Sequence, residues 1–306
     1  MVQASPGPLP LHPMTLGDIL DGAFRMFTAN WRTILIVAGS LIVPVQVLSA
    51  FLQRDVLSVG FLQMMSDPTA ADVQAALRGG GGVTDVALVG VAGLAALFVL
   101  PFVAGAVAKV VGASFLGERP EAGPVLRAVG RRWWSLVGSF VLVHLLYVVP
   151  FLLALGVLVG GAVAESGALI ALGVALLLAG GLGALVLMAL FMAVAPAVVV
   201  ESLGPLAAMG RSLRLLRPRL FPVLGVAVVS GLLAGILANI LSAPFTWPGF
   251  AVGSEVAWVL VALGSVVSGL VTTPFVAIVA TLVYFDARIR HEALDLQVMA
   301  AELRTR

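Results

Sequence analysis

Hydrophobic residues fall in long, nearly uncharged runs separated by short polar segments rich in arginine and proline. The runs cover about residues 33–53, 85–115, 134–160, 168–198, 221–244 and 256–284. Each reaches or exceeds the roughly 20 residues that an α-helix needs to cross a hydrocarbon core of about 30 Å. Several are longer, which predicts tilt or extension beyond the hydrocarbon. The third and fourth runs are separated only by 160–167, and together they are about twice a spanning length, so they predict a tight hairpin.

A different pattern precedes each odd-numbered run. After Pro13, the residues Leu16, Ile19, Leu20, Ala23, Phe24 and Phe27 share one helical face, and Thr15 and Asp18 are spaced as a capping box. After Gly123-Pro124, the residues Val125, Leu126 and Val129 fall together before Arg131-Arg132-Trp133-Trp134. After Gly204-Pro205, the residues Leu206, Met209, Leu213, Leu216 and Leu220 do the same around Arg217-Pro218-Arg219. Proline suits a first helical turn, where its missing N–H has no partner to lose. The pattern predicts a unit of interfacial helix, basic-aromatic hinge and two spans, repeated three times. The plainer reading, linkers shaped only by charge bias, stays open at this stage.

Composition agrees with the runs. The chain is 61% hydrophobic and only 10% charged, against roughly 25% charged for a soluble domain. The fold class predicted is therefore all-α: a polytopic membrane protein of six transmembrane helices with short cytoplasmic interfacial helices. One membrane domain spans 1–306, made of an irregular and amphipathic start (1–32), the six-span bundle (33–284) and a tail (285–306). No cleavable signal peptide is expected, because the first apolar run begins too late and is too long. A short helix is expected over Ala70–Arg78, between Asp67-Pro68-Thr69 and the glycines 79–82.

Orientation follows from the basic residues. Of the 17, only Arg54 and Arg78 flank the loops after odd-numbered spans. The rest cluster before span one, around the connections 109–132 and 211–219, and after span six, at Arg288, Arg290, Arg304 and Arg306. The positive-inside rule predicts both termini in the cytoplasm, in a bacterial plasma membrane. This balance offers no basic surface for nucleic acid. The absence of cysteine excludes disulfides and thiolate metal sites.

Three stretches resemble a known family. They are Leu16-Gly-Asp-Ile-Leu-Asp-Gly-Ala-Phe24; Ala195-Pro-Ala-Val-Val-Val-Glu201 running through Gly204-Pro205 to Arg211-Ser212 and Arg214; and Thr273-Pro274-Phe275 leading to Tyr284-Phe-Asp286-Ala-Arg288-Ile-Arg290. Together they resemble the membrane domain of glycerophosphoryl diester phosphodiesterases, which also occurs alone in bacterial membrane proteins. The resemblance implies a membrane anchor without the soluble catalytic barrel, so it carries no catalytic residue over.

Candidate chemistry is sparse. His12, His144 and His291 lie in separate segments without metal-ligand spacing, and no catalytic, cofactor or metal set is predicted. His144 is placed about 15 Å along its span from Trp134, near mid-bilayer, where an ionisable group suggests function. Its alternative role, like that of Asn239 and Gln46, is an interhelical hydrogen bond. Lys109 is expected to snorkel to the interface. Gly156-xxx-Gly160 and Gly231-xxx-Gly235 permit close helix packing, and Pro101 and Pro274 are expected to kink their helices. Arg211, Arg214, Arg217 and Arg219 are candidate contacts to anionic lipid or to a partner. These features suggest a non-catalytic scaffold or accessory subunit, working with a separately encoded membrane or envelope protein. The alternative is a transporter or lipid translocator using His144 and Asn239.

Overall fold

The computed structural model describes residues 14–52, 83–115, 117–251 and 254–292, without the side chains of 83–97, 250, 251, 254 and 255. The helix expected over Ala70–Arg78, His12 and the tail beyond Glu292 lie outside the described residues. Every element is a helix among the described residues. In order they are α1 (Leu16–Ala29), α2 (Trp31–Leu52), α3 (Val83–Phe115), α4 (Ala122–Gly130), α5 (Trp133–Val163), α6 (Gly167–Phe191), α7 (Val194–Val200), α8 (Pro205–Leu216), a 3-10 turn at Arg217–Arg219, α9 (Leu220–Ala251) and α10 (Ser254–Glu292). Among the described residues six segments are long and apolar enough to cross a membrane.

The element order is the predicted one: a short amphipathic helix, then two long apolar ones, three times. The caps explain the starts. Thr15 and Asp18 form the capping box, with the Thr15 backbone N–H donating to Asp18 Oδ2 at 2.8 Å and the Asp18 N–H to Thr15 Oγ1 at 3.2 Å. Pro205 opens α8 at a position that needs no N–H.

The fourth span differs from expectation in one place. It breaks at Met192–Ala193, and α7 begins at Val194. In an unbroken helix the Pro196 nitrogen would face the Met192 carbonyl, which it cannot serve and with which its ring collides. Ser212 of α8 caps the broken end by donating to the Leu190 carbonyl at 2.6 Å.

The long helices pair as hairpins, α2 with α3, α5 with α6 and α9 with α10. The α10 helix is the hub, packing on α9, α2, α3 and α1. Phe275, Ile278, Leu282 and Tyr284 are fully buried along it. Its far end stacks Phe285 on Phe115 of α3, with centroids 5.0 Å apart. The α5–α6 hairpin is peripheral, and Leu153, Leu178 and Leu182 are each about two-thirds exposed. Apolar flanks of this kind are stable only against hydrocarbon or another protein.

Glycines of α5, α6 and α9 correct the expected packing positions. Gly156, Gly160, Gly231 and Gly235 face open space. Close approach occurs at Gly173, where an added Cβ would sit 2.6 Å from Leu158 Cα, and at Gly161, where it would meet the Ile170 nitrogen at 2.7 Å. Contact through backbone on both sides leaves no side chain free to move aside.

The short helices gather at one end of the bundle. Thr33 Oγ1 donates to the Pro120 carbonyl at 3.0 Å, and Ser114 Oγ to Asn30 Oδ1 at 2.9 Å, joining the starts of α2 and α4 to the end of α3. Arg132 donates to the Ser202 carbonyl at 3.0 Å, joining α5 to the α7–α8 turn. Ser202 has φ +59°, and this left-handed turn presents its carbonyl to α5.

Candidate functional site

The last two turns of α10 carry charge on two faces. Tyr284, Arg288 and Glu292 are spaced by four and line one face. Asp286 and Arg290 share the same spacing on the other. Each face meets a different part of the chain.

On the first face, Glu201 at the end of α7 accepts from the Tyr284 hydroxyl at 2.6 Å and from Arg211 Nε at 2.8 Å, both at Oε1. Arg211 also pairs with Glu292, through Nη2 at 2.8 Å and through Nη1. Arg288 Nε donates to Glu292 Oε2 at 3.0 Å, and Arg288 Nη1 to the Tyr284 oxygen at 3.3 Å. Two guanidiniums thus face two carboxylates, and the cluster is charge-balanced. The side chains of Arg211 and Glu201 are only 17% and 20% exposed, so breaking the pair strands a charge in a poorly hydrated place.

On the second face, Asp286 Oδ1 accepts from the Met14 N–H at 2.8 Å, and Oδ2 accepts from Arg219 Nη1 at 3.1 Å. Arg290 Nε reaches both oxygens at 2.9 Å, while its Nη2 donates to the Met14 carbonyl at 2.9 Å. Asp286 therefore ties the chain before α1 and the turn before α9 to the end of α10. Here two guanidiniums face one carboxylate.

The four candidate arginines separate in this geometry. Arg211 and Arg219 turn inward onto carboxylates. Arg214 and Arg217 are exposed. On α8, Ala208, Ser212, Leu215 and Leu216 are buried and Met209 and Leu213 pack against the core, whereas Leu206, the first residue of the expected face, is 73% exposed. The ion pairs of Arg211 and the hydroxyl of Ser212 add polar contacts to the same inward side.

His144 and Asn239 do not meet. His144 Nδ1 lies 2.8 Å from the Phe140 carbonyl on its own helix, and its ring packs against Phe140 and Tyr147 at 3.6 and 4.9 Å between centroids. Asn239 is exposed on α9 and donates to the Gly235 carbonyl at 2.8 Å, again on its own helix. The expected interhelical bonds are replaced by bonds one turn back along the same helix. The arrangement is possible because the carbonyl four residues earlier is within reach of a short polar side chain. Lys109 is half-buried on α3. Among the described residues no group of three His, Asp or Glu could hold a metal ion.

Glu201, Tyr284, Asp286 and Glu292 were not singled out as site residues from the sequence. The available signal was spacing: Asp286 stands four residues before Arg290 and Glu292 four residues after Arg288, the separation at which opposite charges meet on a helix. Comparison with protein-family models, with curated proteins and with solved structures finds no match for this chain.

Proposed function

We propose that this polytopic membrane protein is a non-catalytic scaffold or accessory subunit for a cell-envelope or lipid-related process, acting with a separately encoded membrane protein. The observation that carries the reading is the use of charge at the basic end: two ion-pair clusters fasten α1, α7, α8 and α9 to α10. A scaffold gains from a rigid platform of this kind. The two polar groups that a transport path would use, on His144 and Asn239, are bonded to their own helices, which favours the scaffold over the transporter or lipid translocator.

The proposal keeps the resemblance to the membrane domain of glycerophosphoryl diester phosphodiesterases as its reading of the three stretches. These stretches are far apart in the chain, yet Glu201, Arg211, Tyr284 and Arg288 form one cluster, and Asp286 and Arg290 bind Met14 beside the first stretch. The reading also places the protein in a bacterial plasma membrane with both termini cytoplasmic. The basic residues collect at the end where α1, α4 and α8 lie, as the positive-inside rule requires. Exposed Arg214 and Arg217 then face the anionic surface of the inner leaflet.

Extraction in mild detergent followed by identification of copurifying proteins tests the role. A stoichiometric membrane or envelope protein supports the scaffold. Substrate flux in proteoliposomes by the protein alone, abolished by His144→Gln, overturns it in favour of transport.

A further inference from the structure

A cavity of about 270 Å³ opens between α1, α9 and α10. Its walls are graded. Arg219 and Asp286 stand at one end, and Ile19, Val223, Val226 and Val283 line the rest. From Arg219 to Val226 the α9 helix rises about 10 Å. The cavity therefore runs from the charged end of the bundle into the depth of the first apolar turns. Gly225 forms part of the wall, and a Cβ added there would meet nothing within 4 Å.

Charge adds a second, independent constraint. The cluster of Glu201, Arg211, Arg288 and Glu292 is balanced, but around Asp286 two guanidiniums share one carboxylate. Among the groups that touch Asp286, guanidiniums outnumber carboxylates, and Arg219 stands at the cavity's polar end. Arg219 spends Nη1 on Asp286, and a guanidinium has five N–H donors in all. A cationic donor above an apolar slot at the membrane boundary complements one class of ligand, an anionic amphiphile.

We propose that this cavity is a binding site for an anionic phospholipid of the surrounding leaflet, with one acyl chain along Val223 and Val226 and the phosphate on Arg219. The site deepens the lipid-related part of the functional reading and rests on it, but does not depend on which protein the scaffold serves. It differs from general attraction at Arg214 and Arg217, because it has a shape that can be filled.

Native mass spectrometry of the full-length protein with added phosphatidylglycerol or phosphatidylcholine of the same chains tests it. The variants are Gly225→Leu, which fills the slot, Arg219→Gln, which removes the donor, and Arg214→Gln with Arg217→Gln as the surface control. Wild type should retain phosphatidylglycerol over phosphatidylcholine. Gly225→Leu should lower that occupancy at least about fivefold, the factor that about 1 kcal/mol of lost binding gives, with an unchanged melting temperature. Arg219→Gln should abolish the preference between the two lipids, and Gly225→Leu keeps the test valid if that variant unfolds. Equal phosphatidylglycerol occupancy in wild type and Gly225→Leu overturns the site, as does equal binding of both lipids by wild type. Loss in the surface control alone also overturns it, leaving only surface attraction. A partner that copurifies with Gly225→Leu as with wild type leaves the scaffold reading standing whichever way the lipid result falls.

Discussion

Tyr284 on α10 and Arg211 on α8 donate to the same oxygen, Oε1 of Glu201, at 2.6 and 2.8 Å. One carboxylate at the end of a seven-residue helix therefore joins two elements that are about 70 residues apart in the chain. Its removal should be felt beyond the residue itself. Glu201→Ala leaves the Tyr284 hydroxyl without its acceptor and Arg211 with Glu292 alone. A hydrogen bond to a charged group is worth about 2 kcal/mol, and a loss of that order is expected in detergent unfolding. Tyr284→Phe should cost about half as much, since the ion pair survives. The double variant should be less than additive. Wild-type unfolding of Glu201→Ala would remove the cluster from any account of stability.

The arginines of the 211–219 group should separate by readout. Arg211→Gln should lower the unfolding midpoint, because it leaves Glu201 and Glu292 each short of a cationic partner. Arg214→Gln and Arg217→Gln, both at exposed positions, should leave the midpoint within error, since exposed charges contribute about 1 kcal/mol or less. A midpoint shift in the exposed pair as large as that of Arg211→Gln would contradict the inward and outward division.

The division of those arginines marks the limit of what the sequence could say. The six spans and three short helices were legible because each rests on local signals: run length, a capping box at Thr15 and Asp18, a proline at the first turn. The inward contacts of α8 were only partly legible. Its apolar face was read as Leu206, Met209, Leu213, Leu216 and Leu220; Leu216 is buried and Met209 and Leu213 pack on the core, but Leu206 is exposed. Spacing could not show that Ser212 and Arg211 also turn inward, because their partners Leu190, Glu201 and Glu292 lie up to 81 residues away. The same lack of a local cue explains Asn239, whose amide chose a carbonyl on its own helix over any neighbour.

Glycine packing in the α5–α6 hairpin gives a sharper contrast. Gly173→Val places branched carbons where Leu158 backbone already stands, and overpacking of this kind costs about 1–3 kcal/mol. Gly156→Val points into open space and should be nearly neutral. Protease sensitivity of the 160–167 connection, measured in detergent, should rise for the first variant only. Equal sensitivity in both would mean that the hairpin does not depend on this contact.

His144 should behave as a structural residue. Its bond is to Phe140 on the same helix, and its ring fills space beside Tyr147. His144→Gln can keep the backbone bond, and His144→Leu keeps the volume, so both should unfold within about 1 kcal/mol of wild type. A pH-dependent activity lost in both, with folding intact, would instead identify a proton relay.

Orientation can be tested without removing any native thiol, because the chain has no cysteine. Ala164 lies in the exposed α5–α6 connection, whereas Glu118 and Ala207 are exposed at the end that carries the short helices. Single cysteines at these positions should report the two sides of the membrane. The choice of Ala207 matters, because its neighbour Ala208 is fully buried and would fail to label on either side. With both termini cytoplasmic, Ala164→Cys should react with an impermeant maleimide in intact cells, and Glu118→Cys and Ala207→Cys only after permeabilisation. The basic residues around 109–132 and 211–219 oppose transfer across the membrane, so the two cytoplasmic positions should agree with each other. Reaction at Ala207 in sealed cells would reverse the orientation. Reaction at Ala207 but not at Glu118 would go further, since it requires an odd number of crossings between them, and the α5–α6 hairpin would then have to cross once rather than twice.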